Sequence, residues 1–488
     1  MVCGTGSDVG KTTVVAGLCR LLARRGVRVA PFKAQNMALN SVVTDGGHEI
    51  GRAQALQAAA ARVPAEVEMN PVLLKPTSER TAQVVVRGHA VGVMGAVEYH
   101  NFKPRLFEVV LDALADLRAR YDVVLLEGAG SPAEINLLEH DIANLRVASA
   151  AGIDAVLVGD IDRGGVFASL YGTVALLPEP QRARVRGFVI NKLRGDPALL
   201  GDGSAQLEAR CGIPTVGVLP WVEGPGLDAE DSLALRAPAS DVSVPLAEVL
   251  DVAVVTLPRI ANFTDVDPLV VEPGVRVRFV HDPAGLGDPD LVVVPGSKAT
   301  VDDLGWLRAR GLADALAHIS GVGLGICGGY QMLGRGLDDP IESAAGFVEG
   351  LGLLPVSTQF EAEKVLRRCR GTALECPIDG YQIHHGRVHA EGGEPFVALD
   401  RSGGEPVLDG VQSGRWYGTT VHGLFEADRF RGAFLARVAA QAGKRFVASG
   451  VSYETHRQAR IDHLADVLDA HLDVSALDAF IAGARPPR

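Results

Sequence analysis

The sequence predicts an α/β protein with two doubly wound domains, each built around a parallel sheet. Short β-type runs alternate with helical runs over the first 235 residues, and a second series of the same kind runs from residue 248 to 440. Strands separated by helices pair in parallel through right-handed crossovers. A chain of 488 residues is also too long for one ordinary core. We therefore predict domains over 1–235 and 248–440, followed by a helical segment over 441–488.

The predicted strands of the first domain are short apolar runs whose length suits buried strands. They are Val27–Phe32, Val123–Leu126, Ala155–Val158, Gly187–Ile190 and Thr215–Leu219. Thr12–Arg25 and Phe107–Arg118 are amphipathic and predict helices between these strands. Trp221–Pro245 is rich in Pro, Gly and Ala and has no clear period, which predicts an inter-domain connection.

The second domain repeats this alternation of apolar strand-like runs and helical runs. Its predicted strands are Val252–Leu257, Arg276–Val280, Leu291–Val294 and Val322–Ile326, then Phe347–Gln359, Gly380–Val388 and Arg415–Val421. Phe430–Gln441 and Arg460–Leu472 predict closing helices.

Composition excludes several function classes. Lys+Arg number 47 against 59 Asp+Glu, a net charge of −12, whereas nucleic-acid binders usually have a basic excess. The six cysteines are scattered without a CxxC pair, which indicates a reducing compartment rather than a zinc site or a disulfide framework. No apolar run reaches the roughly 18 residues of a membrane span, and we expect no signal peptide ahead of the Gly-rich start. We predict a cytoplasmic protein without nucleic-acid or membrane partners, and the sequence is compatible with a homo-oligomer.

The strongest motif of the first domain is a glycine-rich turn that opens a helix, Gly4–Thr13 (GTGSDVGKTT). Such a turn offers backbone N–H groups and the positive end of a helix to phosphate oxygens. The predicted ATP-binding residues in it are Gly6, Gly10, Lys11, Thr12 and Thr13. Lys11 would reach the β- and γ-phosphates, and Thr12 would bind Mg²⁺. The spacing resembles the dethiobiotin-synthetase-like branch of phosphate-loop proteins, which implies activation of a carboxylate as an acyl phosphate.

Further candidates follow strands whose carboxyl ends share one edge of the predicted sheet, where ligands bind in open α/β folds. Glu127 is a candidate metal ligand at such a strand end, and Asp45, in the polar segment Thr44–Gly47, is a weaker candidate. Asn191 stands where phosphate-loop folds often contact the base. Polar candidates for substrate binding follow the second strand: Lys33, Gln35 and Asn36. A solvated carboxylate, a surface turn and a polar loop are the alternative interpretations of Glu127, Asn191 and this last segment.

The strongest motif of the second domain is a nucleophile turn, Gly325–Gly329 (GICGG), between a predicted strand and a predicted helix. The glycines around Cys327 give the space that such a sharp turn needs. The helix N-terminus favours a thiolate at Cys327, although an inert buried cysteine is the alternative interpretation. The backbone N–H groups of Gly328 and of Gly296, at another strand end, are predicted oxyanion-hole donors.

A thiolate nucleophile needs a base, and the chemistry of the residues alone does not choose between His422, His384 and His385. Residues 250–430 resemble the class I glutamine amidotransferase domain, which has a flavodoxin-like fold. In that resemblance Cys327 matches the catalytic cysteine and His422 the catalytic histidine.

One position departs from that class. A glutamate two residues after the histidine orients it in most members, and here Leu424 stands there. Glu426 is nearby but out of register. The group that orients His422 is therefore unidentified in the sequence.

The whole chain resembles the cobyric acid synthase family of glutamine-dependent amidases from end to end. Besides the two motifs, the matching segments are Phe32–Met37, Gly51–Gln54, Met69–Pro76, Asn191–Asp196, Asn262–Asp265 and Pro295–Lys298. The resemblance implies ATP, Mg²⁺ and glutamine as reactants or cofactors, and adenosylcobyrinic acid a,c-diamide, a corrinoid, as substrate. Its b, d, e and g carboxylates would be amidated with ammonia made at Cys327. Plausible partners for those carboxylates are Lys33, Arg52, Lys75 and Arg80.

Three alternatives stay open at this point. The nearest is a related amidase, either the a,c-diamide synthase or a cell-wall lipid amidase. A ParA/MinD-like regulatory ATPase would explain the first 235 residues but would leave Cys327 and His422 without a purpose. A decayed glutaminase kept as a scaffold would not need both of these residues intact.

Overall fold

The computed structural model describes residues 1–222, 248–401 and 403–483. Most of the predicted inter-domain connection, from residue 223 to Pro245, lies outside the described residues. One α/β domain precedes this connection and a second follows it, and two helices stand at the C-terminal end.

Strands and helices alternate in the first domain. Between residues 1 and 222 its strands are β1 (Val2–Gly4), β2 (Val29–Phe32), β3 (Gln35–Met37), β4 (Ser41–Val43), β5 (Glu49–Gly51), β6 (Val72–Pro76), β7 (Thr81–Val86), β8 (His89–Gly95), β9 (Val123–Leu126), β10 (Ala155–Asp160), β11 (Val185–Leu193) and β12 (Thr215–Pro220). Its helices are α1 (Lys11–Arg24), α2 (Arg52–Ala61), α3 (Ala96–Arg120), α4 (Leu145–Ala151), α5 (Val166–Leu176), α6 (Glu179–Arg182) and α7 (Gly203–Cys211). The largest difference from prediction is α3, which begins at Ala96 rather than Phe107 and includes Pro104.

The main sheet of the first domain is parallel. β1, β10, β11 and β12 pair in this order, β2 pairs with β9, and a bridge between Val2 and Glu127 joins the two groups. The resulting strand order is β2-β9-β1-β10-β11-β12. The loops after β1, β2 and β9 leave from the same edge and carry the phosphate loop, Lys33 and Glu127. The topology therefore brings these predicted motifs to one place.

The segment between β2 and β9 adds elements that the sequence analysis did not predict. β3, β6, β7 and β8 form a smaller mixed sheet in this order, and β4 and β5 form a hairpin. β3 has only three residues and a polar sequence, so it carries no strand signal of its own. Val43 of the hairpin packs against Tyr381 and Ile383, which belong to the second domain.

The second domain is built on an eleven-stranded sheet within residues 248–401 and 403–441. The strands of this domain are β13 (Leu250–Val255), β14 (Ile260–Ala261), β15 (Val275–Val280), β16 (Leu291–Val294), β17 (Gly296–Ser297), β18 (Val322–Ile326), β19 (Gly336–Asp339), β20 (Gly346–Glu349), β21 (Val356–Ala373), β22 (Cys376–Ala390), β23 (Glu394–Leu399), β24 (Val407–Ser413) and β25 (Trp416–Thr419). The helices are α8 (Pro283–Leu286), α9 (Thr300–Ala309), α10 (Leu312–Ala317), α11 (Gly328–Leu333) and α12 (Asp428–Gln441).

The core of this sheet is parallel and buried on both faces. The order begins β15-β13-β16-β18-β25, all parallel. It continues as β24-β23-β21-β19-β20 through antiparallel pairs, except that β21 and β19 are parallel, and β22 pairs with β21. Val254 and Val293 belong to one apolar cluster and their neighbours Val255 and Val292 to the other, because successive side chains of a strand point to opposite faces. This explains why these strands are continuous apolar runs rather than alternating ones.

The C-terminal segment returns to the first domain. Its helices are α13 (Tyr453–His471), which begins earlier than the predicted Arg460 because Ser452 caps it, and α14 (Val474–Gly483). α13 packs along α1, where Gly17 leaves room for Leu468: a Cβ at Gly17 would lie 2.5 Å from the Leu468 Cδ1 atom. The N-terminal and C-terminal segments of the chain therefore share one hydrophobic core around α1.

Candidate active sites

The phosphate loop is closed by a turn that requires glycine. Gly10 has φ +99° and is the N-cap of α1. A Cβ there would lie 2.1 Å from the Asn191 Nδ2 atom. The Asn191 amide itself donates to the Val9 carbonyl at 2.8 Å. Asn191 thus holds the backbone of the phosphate loop in place. The next residue, Lys192, lines the large cleft described below.

Lys11 lies across the loop that precedes it. Its Nζ atom donates to the carbonyl oxygens of Gly6, at 2.7 Å, and Gly130, at 3.2 Å. The side chain is nearly buried, at 7% exposure. The ammonium group is therefore held at the N-terminus of α1. Its charge, the helix dipole and the loop N–H groups all favour an anion there.

A buried carboxylate, Glu127, binds two of the other predicted residues and one that was not predicted. Glu127 is 1% exposed, and its Oε1 atom accepts from the Thr12 hydroxyl at 2.8 Å and from the Lys33 ammonium at 2.9 Å. Its Oε2 atom accepts from the Gln57 amide at 2.6 Å. A buried carboxylate needs such partners, since an unpaired buried charge is strongly unfavourable. Gln57 was not predicted from the sequence, because no motif in its helix distinguishes it as a functional residue.

Thr12 and Glu127 fit a magnesium ion. Mg²⁺ prefers hard oxygen ligands and usually takes one or two from the protein, with phosphates and water supplying the rest. The described residues contain no cluster of three or more His, Cys, Asp or Glu side chains that could hold a metal by themselves. A hydroxyl and a carboxylate in contact beside a phosphate loop are therefore the donor set expected for a nucleotide-bound ion.

Asp45 does not belong to this donor set. It lies in the turn of the β4–β5 hairpin, its side chain is 76% exposed, and it pairs with Arg368 of the second domain at 3.4 Å. The hairpin stands outside the main sheet, so the structure does not bring the candidate ligand Asp45 to Thr12 and Glu127.

A large cleft opens between the phosphate loop and the second domain. Its volume is about 1240 Å³, above the roughly 300–1,000 Å³ of ordinary ligand pockets. The predicted residues Gly10, Lys11, Thr12, Thr13, Lys33, Gln35 and Asn36 line it, and Pro258, Arg259 and Phe263 line it from the second domain. The cleft has room for a nucleotide and a second ligand together.

The predicted substrate residues differ in their surroundings. Asn36 is 1% exposed and donates to Gln54 at 2.9 Å, and Gln35 accepts from the Tyr99 hydroxyl at 2.6 Å. Both amides are therefore held in fixed orientations at the cleft wall.

Of the four basic residues considered for substrate carboxylates, Lys33 lines the cleft. Arg52 is buried against Glu426, and Lys75 is buried in an ion pair with Glu49. Arg80 is exposed at the turn between β6 and β7.

The thiol site has the strained turn that the sequence predicts. Cys327 directly follows β18, has φ +51° and ψ −111°, and is the N-cap of α11. A Cβ at Gly329 would lie 1.9 Å from the Val294 carbonyl oxygen, so the turn needs glycine there. Backbone strain of this kind is common at catalytic positions. All six cysteines lie within the described residues and are free, so Cys327 is available as a thiol.

The two predicted oxyanion donors are close to this turn. Gly296 lines the same pocket as Cys327 and His422, and a Cβ there would lie 3.1 Å from the His422 Cε1 atom. Gly328 packs against the backbone of Ser297. Their use as oxyanion donors stays a prediction.

His422 is held by a carboxylate from far away in the sequence. Its Nδ1 atom lies 2.7 Å from the Asp265 Oδ2 atom, and Asp265 Oδ1 accepts from the Gly423 N–H at 2.8 Å. Burial by itself lowers the pKa of His422, but the charges of Asp265 and Cys327 and their hydrogen bonds outweigh it and raise that pKa to about 10. The thiol of Cys327, the imidazole of His422 and the carboxylate of Asp265 are therefore connected in the order that a nucleophile, its base and an orienting carboxylate require.

Asp265 fills the position that the sequence left open. Leu424 is buried and apolar, and Glu426 binds Arg52 at 2.7 Å instead of His422. Asp265 belongs to the matching segment Asn262–Asp265, but its role could not be read from that match, because only the fold brings it to His422.

The competing histidines lack such a partner. His384 Nδ1 lies 2.7 Å from the Gly386 carbonyl oxygen, and burial lowers the pKa of His384 to about 3. His385 is held in the same way by the Glu361 carbonyl at 3.0 Å. The geometry favours His422 as the base.

Comparison with known proteins covers both sites. Residues 1–230 match the family model of the CobQ/CobB/MinD/ParA nucleotide binding domain, and residues 251–430 match that of the CobB/CobQ-like glutamine amidotransferase domain. Curated cobyric acid synthases from Streptomyces coelicolor, Rhodococcus jostii and Nocardia farcinica are each 53% identical to this chain. The alignments cover 100% of this chain and 97%, 96% and 97% of those proteins. The chain belongs to the cobyric acid synthase family.

Membership of the cobyric acid synthase family confirms the predicted fold class and decides between the alternatives. The chain is an ATP-dependent, glutamine-using amidating enzyme of cobalamin biosynthesis. The regulatory-ATPase alternative, which rested on the first domain alone, does not account for a match over both domains. Among the helices of the described ranges, none is both long and apolar enough to cross a membrane.

Proposed function

We propose that this enzyme amidates the b, d, e and g carboxylates of adenosylcobyrinic acid a,c-diamide, with ATP·Mg²⁺ as activator and glutamine as nitrogen source. The observation that carries this proposal is the thin wall between the two sites. Asn262 lines the Cys327 pocket, and the next residue, Phe263, lines the nucleotide cleft. The two pockets are therefore adjacent, and we infer that ammonia released at one passes to the other at this wall.

In the proposed glutaminase half-reaction, the Cys327 thiolate attacks the side-chain amide of glutamine and forms a tetrahedral oxyanion facing the Gly328 and Gly296 N–H groups. The imidazolium of His422 gives its proton to the leaving nitrogen, so ammonia departs and a thioester remains. Water activated by His422 then releases glutamate. Asp265 keeps the imidazole in the orientation and tautomer that both proton transfers need.

In the proposed synthetase half-reaction, a corrin carboxylate attacks the γ-phosphorus of ATP and ADP leaves. Ammonia then attacks the acyl phosphate carbon, and inorganic phosphate leaves. Lys11 and the loop N–H groups neutralise the charge on the phosphates. Thr12 and Glu127 would hold Mg²⁺, which supplies further neutralisation of that charge. Lys33, Gln35 and Asn36 are proposed to position the carboxylate.

Product mass tests this proposal. The purified enzyme is incubated with adenosylcobyrinic acid a,c-diamide, glutamine and ATP·Mg²⁺, and we expect successive conversion of the b, d, e and g carboxylates to amides. Glutamine hydrolysis without any corrinoid conversion would overturn the substrate assignment and direct the search to cobyrinic acid itself or to another carboxylate.

Replacement of Asp265 tests the proposed triad. Asp265→Asn keeps the size of the side chain but removes its charge, so the pKa of His422, now raised to about 10, should fall. His422 then loses its proton at lower pH, and the alkaline limb of the glutaminase pH profile should move to lower pH. We also expect kcat for glutamine hydrolysis to fall on the order of a hundredfold.

The matched control is Asp379→Asn. Asp379 pairs with Arg368 and Arg370 on the β21–β22 hairpin, outside the thiol pocket. It should leave the pH profile of glutamine hydrolysis unchanged. An unchanged alkaline limb in Asp265→Asn would show that another group sets the protonation of His422.

A further inference from the structure

One helix contacts both active sites. α2 begins at Arg52, and at Gln57, less than two helical turns later, it reaches the nucleotide site. The Gln57 amide donates to Glu127 Oε2 at 2.6 Å and to the Thr12 carbonyl at 3.4 Å. Gln57 therefore contacts the carboxylate that would change partners when a nucleotide and its metal ion bind.

The other end of α2 reaches the thiol site in the second domain. Arg52 is 5% exposed; its NH2 group donates to Glu426 Oε1 at 2.7 Å and its NH1 group to the Tyr381 hydroxyl at 3.5 Å. The Tyr381 ring stacks on the His422 ring, with centroids 5.3 Å apart and an angle of 21° between the planes. Arg52 thus fixes the aromatic ring that covers one face of the catalytic imidazole.

The contact between Tyr381 and His422 also involves the backbone. The Tyr381 N–H donates to the His422 carbonyl at 3.2 Å, and the His422 N–H donates to the Tyr381 carbonyl at 2.9 Å. A shift of Tyr381 therefore shifts His422 as well. Asp265 holds the imidazole at its Nδ1 edge. The imidazole is therefore positioned by two residues of its own domain, Asp265 and Tyr381, and Arg52 of the first domain acts on it through Tyr381.

The side chains of α2 are closely packed, so a displacement at one end of the helix would move the whole helix as a rigid unit. Ala53, Leu56 and Ala58 are each at most 2% exposed, and Gln54 accepts from Asn36 of the cleft wall at 2.9 Å. Close-packed helices transmit displacement because their neighbours cannot deform continuously. The helix therefore contacts Glu127 and the substrate wall directly, and it reaches His422 through Tyr381.

We propose that Arg52 is a positioning residue for His422, and that α2 makes glutamine hydrolysis depend on occupancy of the nucleotide and corrinoid site. This inference rests on the proposed function. Binding of ATP·Mg²⁺ changes the partners of Glu127, Gln57 transmits the change to α2, and Arg52 places Tyr381 and His422 for proton transfer. Ammonia is then released when its acceptor is present.

The test is the rate of glutamate release, measured with and without ATP·Mg²⁺ plus adenosylcobyrinic acid a,c-diamide. In the unmodified enzyme these ligands should raise kcat for glutamine. Arg52→Gln should lower the stimulated kcat about tenfold with little change in the KM for glutamine, since the glutamine pocket itself is untouched. Arg52→Lys should restore part of the stimulation through its contact with Glu426. Tyr381→Phe, which keeps the stacked ring but loses the hydroxyl, should lose stimulation as Arg52→Gln does.

Arg368→Gln is the matched control, because it removes a different inter-domain ion pair, Arg368 with Asp45, together with the Arg368–Asp379 pair, and Arg368 does not line the thiol pocket. It should keep full stimulation. Amidation with added ammonium salt reports independently on the first domain in every variant. Full stimulation in Arg52→Gln and Tyr381→Phe, or no stimulation in the unmodified enzyme, overturns the coupling by α2. Failure of the unmodified enzyme to amidate the corrinoid even with ammonium salt would instead overturn the proposed function.

Discussion

Cys327→Ala is expected to abolish amidation with glutamine while leaving amidation with added ammonium salt. Alanine keeps the Cβ atom, so the turn at φ +51° carries the same strain and the fold should be unchanged. The variant lacks the sulfur that forms the thioester, so glutamine-dependent product should fall by roughly three orders of magnitude or more. Product mass, recorded with either nitrogen source, measures both activities on the same preparation.

Cys369→Ala provides the control for this experiment. Cys369 is a buried thiol on β21, and burial raises its pKa to about 12, so it has no nucleophilic role to lose. Both activities should persist in that variant. Loss of ammonium-dependent amidation in Cys327→Ala would contradict the two-site mechanism, because the phosphate loop and the cleft do not include the thiol.

The parts of both sites that depend on local sequence could be predicted. A glycine-rich turn before a helix has few uses other than phosphate binding. A cysteine among glycines, between a strand and a helix, has few uses other than nucleophilic catalysis. The strands Val123–Leu126, Leu291–Val294 and Val322–Ile326 were predicted with the bounds that the structure has, because each is an apolar run that ends abruptly. In a doubly wound fold, strand ends also fix where ligands bind, which placed Glu127 correctly beside the phosphate loop.

The parts of both sites that depend on contacts between distant segments could not be predicted from the sequence. Asp265 precedes His422 by most of the second domain, and nothing in its neighbourhood distinguishes a catalytic carboxylate from a structural one. The packing of α13 on α1 joins opposite ends of the chain, for example where Leu468 packs against Gly17, and neither segment predicts this contact by itself. Strands rich in charged residues are also difficult to predict from the sequence. Residues 361–370 alternate poorly between apolar and polar, so the outer part of β21 carries no periodic signal.

Lys11→Ala is expected to remove amidation with either nitrogen source. The Lys11 ammonium is the cation held across the phosphate loop by Gly6 and Gly130. Its loss leaves the β- and γ-phosphates without that charge while the acyl phosphate forms, and removal of one such electrostatic contact costs on the order of a hundred- to a thousandfold in rate. The measurement is the initial rate of ADP release and of amide formation, with glutamine and then with ammonium salt.

The control for Lys11→Ala is Arg24→Ala at the other end of the same helix. Arg24 pairs with Asp466 on the surface, so its loss removes a cation from α1 without touching the cleft. It should change neither rate appreciably, since exposed pairs contribute little. Lys11→Ala should still hydrolyse glutamine, because Cys327, His422 and Asp265 are intact, but without stimulation by ATP·Mg²⁺ if α2 couples the sites. Intact amidation in Lys11→Ala would refute the assignment of this loop as the site of carboxylate activation.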